Sequence, residues 1–148
     1  MARADYYAIE DAIRAVLAAA SSLSGVTILV EEELTVQRGS VIGIYLEDRT
    51  APAEEQPIAA GLETRFHVNF TIWCWHFGVG RDRRPVMEAR DDLVGNVEIA
   101  LMGNRDLNDT VDSSWLTGGD FLSGPDPTGK QFMAGASINL TVDVKGTV

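Results

Sequence analysis

The stretch FHVNFTIWCWHFG, residues 66–78, constrains the fold more than any other part of the chain. Read at the two-residue period of a strand, it puts Phe66, Val68, Phe70, Ile72, Cys74 and His76 on one face. His67, Asn69, Thr71, Trp73, Trp75 and Phe77 fall on the other. Its aromatic and β-branched enrichment is what a half-buried or doubly covered strand requires, and the strand is expected to run from about Glu63 to Phe77. The same stretch holds both histidines and the only cysteine, which raises the possibility of a metal or nucleophile site. The alternation separates them. A zinc site needs three or four converging ligands, and only Cys74 and His76 share a face, in a row of large apolar groups. No CxxC, HExxH or second Cys/His cluster completes a set. A Cys–His nucleophile pair is disfavoured because same-face neighbours on a strand lie about 7 Å apart at Cα, with no orienting carboxylate nearby in sequence.

Residues 131–145 repeat the alternation. Ala134, Ala136, Ile138, Leu140, Val142 and Val144 form a dry face against Gly135, Ser137, Asn139, Thr141, Asp143 and Lys145 on a wet one. Near the start, Tyr6, Ile9, Ile13, Val16, Leu17 and Ala20 recur at helical spacing with Glu10, Asp11 and Arg14 between them, giving an amphipathic helix over about 5–22. Ser24 and Gly25 end it. VTILVEE, residues 26–32, is a first strand with an acidic, water-facing tail. SVIGIYLE, residues 40–47, is a second, after a turn near Gln37, Arg38 and Gly39, with Gly43 marking a bulge or a close backbone approach. A second helix follows Pro85, capped by Asp82 or Arg84 and buried through Val86, Ala89, Leu93, Val97 and Ala100, with Gly103 and Asn104 closing it. Gly95 at mid-helix implies close packing against the sheet. A short strand at 113–117 and a Gly, Pro and Asp-rich loop at 118–130 precede the last strand. The expected fold is α+β, a mainly antiparallel sheet with two helices packed on one face, in the order α-β-β-β-α-β-β.

At 148 residues and 45% hydrophobic, the chain is sized for a single domain, 1–148, with a real core. A net charge of −10 argues against a nucleic-acid-gripping surface, which needs clustered Lys and Arg to release counterions. One cysteine excludes an internal disulfide and fits synthesis in a reducing cytoplasm. MARADYYAIED lacks the features of a signal peptide, and no apolar run approaches the roughly 20 residues of a membrane helix, so no membrane association is expected.

Catalytic, cofactor and metal residues are expected to be none. The GK pair at Lys130 is followed by Gln131 and lacks phosphate-loop spacing. Asp106, Asp109, Asp112, Asp120 and Asp126 match no EF-hand and read as solvated acidic turns. There is no GxSxG elbow. Two features point outward instead. DRTAPAEEQPIAAG, residues 48–61, is expected to project as a loop carrying Glu54 and Glu55, either a solvated tip or a partner-binding arm. Arg81, Arg83 and Arg84 sit at the positive end of the second helix, where cations are unfavourable, so they await an outside partner or are neutralised by Glu88, Asp91 and Asp92.

The N-terminal helix, the long strand ending in WCWHFG, the phrase PVMEARDDLVGNVEIAL, then VDSSWLTGGDF and GASINLTVDV together resemble the tail terminator proteins of long-tailed bacteriophages, also called minor tail protein U or tail completion proteins. The resemblance covers nearly the whole chain, although residues 48–61 match no pattern in it. It implies a virion subunit made in the host cytoplasm that forms a ring, usually hexameric, at the head-proximal end of the tail tube. Such a ring stops tube polymerisation, offers a surface to the head connector and lets DNA pass without specific binding. A ring subunit needs two different complementary faces. The acids Glu54 and Glu55 and the bases Arg81, Arg83 and Arg84 are candidates, meeting between neighbours or at the tube. Two other readings stay open: another neck or tail component, such as a head–tail joining or tube protein, and a small α+β enzyme or ligand-binding domain.

Overall fold

A computed structural model describes residues 5–35, 38–50 and 63–147. Helix α1 spans Tyr6–Ala19, and its N-cap Asp5 accepts the backbone N–H groups of Tyr7 and Ala8 at 3.1 and 3.0 Å, satisfying two otherwise orphan donors. A 3-10 turn over Ser21–Leu23 leads to β1, Thr27–Val30, then β2, Gly39–Thr50, and β3, Glu63–Gly78. Helix α2, Arg84–Met102, is followed by β4, Ser113–Leu116, β5, Phe121–Pro125, and β6, Phe132–Thr147. The protein is α+β, with two helices and a mixed six-stranded sheet in the order β1-β2-β3-β6-β4, β5 also pairing with β6. Every pairing is antiparallel except β1 with β2, which is parallel. After β1, Leu34 packs on Leu29, Val41 and Phe77 on the sheet face opposite the helices.

Both helices lie on one face. Ile13 and Leu17 of α1 and Val97 and Leu101 of α2 are fully buried against Ile42, Ile44, Phe70, Ile72 and Leu140. Each such side chain contributes about 1.5–3 kcal/mol of hydrophobic stabilisation. The phase of α2 is Val86, Arg90, Leu93, Val97 and Leu101, whereas Ala89 and Ala100 are only half-buried. Its N-cap is Arg83; Asp82 serves one residue earlier, accepting the Arg84 N–H at 3.1 Å. A Cβ on Gly95 would meet nothing within 4 Å, so close packing does not explain that glycine.

Three further expectations are revised. Strand β2 continues through Asp48, Arg49 and Thr50, because a bulge at Glu47, between Leu46 and Asp48, restores pairing with Asn69, Val68 and His67. Only residues 51–62 therefore separate β2 from β3, and they, including the remainder of the expected 48–61 loop, lie outside the described residues. Gly43 is not at the bulge: the Tyr45 ring lies over it, 2.6 Å from where a Cβ would sit. The expected loop at 118–130 contains β5. Thr117 donates to the Asn139 carbonyl, Asn139 to the Gly118 carbonyl and Ser137 to the Asp120 carbonyl, so β4 and β5 form one edge strand interrupted by a glycine bulge. Gly118 has φ +101°, and a Cβ on Gly119 would lie 1.7 Å from the Ser137 carbonyl oxygen. Only glycine fits there.

The face away from the helices is less wet than alternation implies. Thr71, Ser137 and Thr141 are buried, Trp73 and Trp75 stack with centroids 5.2 Å apart, and Trp75 covers Gly135. Aromatic rings lying over glycines cover a sheet face that no helix reaches.

Candidate functional site

Cys74 and His76 do lie on the helix side of β3, but they are not a reactive pair. Cys74 is fully buried, and burial, aided by the nearby Glu98 charge, pushes its thiol up to about 12. A thiol that stays protonated at neutral pH is a poor nucleophile and a poor metal ligand. His76 stands opposite Ser40 in the β2–β3 register, and its Nδ1 lies 2.8 Å from the Ser40 hydroxyl oxygen. Burial holds its pKa below the ordinary imidazole value. The two side chains are accounted for by packing and one hydrogen bond. Among the described residues, no three His, Cys, Asp or Glu side chains converge to hold a metal.

The arginines share one end of the molecule without acting alike. Arg84 pairs with Glu88 at 2.9 Å, both well exposed, so the pair contributes at most about 1 kcal/mol. The Arg83 guanidinium lies 4.9 Å from the centroid of Phe132, a cation–π contact. Arg81 is exposed and has no ion-pair partner among the described residues. Asp91, expected to help neutralise this group, instead binds Arg90. Arg83 also borders a cleft of about 210 Å³ with Gly80, Pro125, Gly129, Lys130 and Phe132, which adds a lysine to the basic end. Glu54 and Glu55 lie outside the described residues. Their anchor points do not: Thr50 and Glu63 are at one end of β2 and β3, and the arginines follow the other end of β3. A strand of that length separates its ends by about 50 Å at roughly 3.3 Å per residue.

The open sheet face carries a cleft of about 440 Å³ lined by Glu47, Asp48, Asn69, Thr71, Asp120 and Asn139, among others. Thr141 donates to the Asn69 amide oxygen at 2.7 Å, and the Asn69 amide donates to Asp48 at 2.5 Å. These cross-strand bonds consume the polar groups that would otherwise grip a ligand. What remains toward solvent is acidic. Asp126, in the turn after β5, is an internal brace: burial alone would raise its pKa, but hydrogen bonds from Thr128, Gln131 and Lys130 hold it below the ordinary carboxylate value.

Two groups escaped the reading of the sequence. Arg90 is 5% exposed; its guanidinium donates to Asp91 and lies 4.6 Å from the centroid of Phe121. The helical phase through Val86, Leu93 and Val97 includes position 90, a signal that was available. Phe121 itself is 74% exposed and Leu122 is 49% exposed, side by side on the edge strand. The other is Glu10, only 1% exposed, with neither carboxylate oxygen offered a donor. Desolvation, then the neighbouring Glu31 carboxylate, then repulsion from Asp11, raise its pKa from 4.5 to about 7. Glu31 is held in place with φ +52° while its Oε1 accepts the Leu46 N–H.

No family model and no curated protein matches the chain. Among solved structures it is similar to the sheath/tube terminator of an extracellular contractile injection system, PVC, determined by cryo-EM in the extended state. The TM-score is 0.47 at 15% identity, with all of this chain and 59% of the other covered. The chain thus spans less than two thirds of that protein, and a likeness of this degree leaves the functional reading to the residues themselves.

Proposed function

We propose that the chain is a structural subunit of the tail terminator type rather than an enzyme. It assembles as a ring, usually hexameric, at the head-proximal end of a phage tail tube, ends tube polymerisation and presents a surface to the head connector. The observation that carries this reading is the edge strand β5, which exposes Phe121 on the helix side and Leu122 on the open face. An exposed apolar edge invites strand pairing, and the one blunting residue within β5, Pro125, stands at the far end of the strand from Phe121 and Leu122. The inert Cys74 and the internally bonded polar face support assembly over catalysis. Thr50 and Glu63, between which residues 51–62 run, and the basic end at Arg81, Arg83, Arg84 and Lys130 lie at opposite ends of β3, which suits contacts to two different bodies, tube and connector. The acidic cleft with Glu47, Asp48 and Asp120 suits a lumen through which DNA slides, since like charges leave no counterions to release.

The test is tail length in particles of the encoding phage or phage-like element lacking this chain. Overlong tubes without heads support the reading. Tails of normal length that fail to join heads move the subunit to the neck, and normal infectious particles refute a tail role.

A further inference from the structure

The two lateral edges of the sheet are unlike, and they match. Among the described residues, one is β1, paired on one side only, to β2, and the other is β5, paired only to β6. The registers run straight across the molecule. Thr27 faces Val41, which faces Trp75, then Gly135, then Leu122; Ile28 faces Ile42, then Cys74, Ala136 and Phe121. Both edges therefore occupy the same two rows. Their senses are opposite, because β1, β2 and β6 run one way while β3 and β5 run the other.

From this we infer that β5 of one copy receives β1 of the next as an antiparallel strand, so that the sheet continues from subunit to subunit. The inference deepens the ring reading and rests on it. A neighbour in the same orientation presents β1 to β5 antiparallel without inversion, and β1 and β5 are different surfaces, which is the heterologous contact that rotation closes into a ring. Row alignment puts Phe121 beside the neighbour's Ile28 on the helix side, an aromatic–β-branched pair, with Arg90 already under the ring. Leu122 falls beside Thr27 on the other face.

The test is a disulfide. Thr27→Cys with Leu122→Cys in one chain places the new cysteines four strand spacings apart, about 19 Å, beyond any bridge within a copy. Across the inferred contact they are antiparallel partners, with Cα atoms about 4.5–5.5 Å apart. Buried Cys74 stays out of the reaction. The chain's mass in solution and in assembled tails is measured first by light scattering and microscopy, and the samples are then oxidised and run on non-reducing gels. A reducible ladder in the double variant, absent from either single variant, is the expected result. Rings or oligomers without a ladder overturn edge pairing and leave the ring standing. A chain that is monomeric in solution and absent from tails overturns both. As a second variant, Leu122→Lys is expected to abolish oligomers with an unchanged melting temperature; oligomers of undiminished yield overturn the inference.

Discussion

Replacing Glu10 by Gln is expected to stabilise the protein at pH 8 and to change its stability by less than about 1 kcal/mol at pH 5. Glu10 is buried between α1 and the exit of β1, and its pKa rises from 4.5 to about 7, chiefly by desolvation and then through Glu31 and Asp11. The folded chain therefore holds a proton on Glu10 that the unfolded chain releases between pH 4.5 and 7. Where the native state binds more protons, stability falls as pH rises, by about 1.4 kcal/mol per pH unit for one group. The stabilisation by protonated Glu10 is complete below 4.5 and is lost as pH rises through 7, a total on the order of 3 kcal/mol. Gln keeps the shape and donates to Glu31 without titrating. The variant should thus gain about 2–3 kcal/mol over the parent at pH 8, or roughly 5–10 °C in melting temperature for a domain of this size. Urea unfolding followed by tryptophan fluorescence at pH 5, 6.5 and 8 measures the difference, and comparison with the parent cancels the other acids. Glu31→Gln should flatten the pH dependence only in part, because desolvation, the largest cause, remains. A Glu10→Gln variant that is destabilised equally at pH 5 and pH 8 would refute the reasoning, since it would mean that Glu10 is ionised and compensated in the fold.

Gly119→Ala is expected to cost about 3 kcal/mol or more, because its Cβ would sit 1.7 Å from a backbone oxygen that cannot move without breaking the edge strand; a parent-like melting temperature would contradict that geometry. Cys74→Ala with His76→Ala should lower stability by about 2–4 kcal/mol and leave tail assembly intact in cells at reduced temperature; loss of assembly by a fully folded double variant would reopen a reactive site there. Arg83→Glu with Arg84→Glu should leave the isolated chain folded within about 1 kcal/mol, since one pair is exposed and the other contact is a surface cation–π. Infectious particles should fall sharply with this variant, and undiminished yield would remove the basic end from the tail contacts.

The fold was largely legible because its longest elements are governed by short-range periodicity. Strands β3 and β6 alternate over 16 residues each, and both helices show their apolar phase in the sequence. Failures occurred where a distant partner decides the local conformation. Residues 121–125, with a glycine and a proline, read as loop in isolation and become β5 only because β6 offers them an edge. The extension of β2 past Glu47 depends on a bulge that resets pairing with β3. Glu10, set among apolar positions, read as solvent-facing, and its burial follows from the approach of Glu31 from another element. The candidate arginines were found by the helix dipole argument, and Glu88, named as a neutralising acid, does pair with Arg84; the Phe132 ring under Arg83 was not legible, because tertiary packing sets it.

The oddities that periodicity could not anticipate gather along one side of the sheet. A glycine bulge that only glycine tolerates lets the edge resume pairing at Asp120, and this brings Phe121 onto the helix side, over Arg90. Arg90 occupies a buried position of α2 that a leucine would fill with less cost in desolvation, and among the described residues Asp91 is its ion-pair partner. Neither feature helps the isolated domain: the bulge interrupts a strand, and a buried arginine stacks on a ring left 74% exposed. Both make sense if the ring of Phe121 is covered by another subunit, because the guanidinium would then be sandwiched in a desolvated contact where cation–π attraction reaches about 2 kcal/mol instead of about 0.5–1 at an exposed site. The edge is thus costly for the monomer in the same places where it would be favourable for a ring.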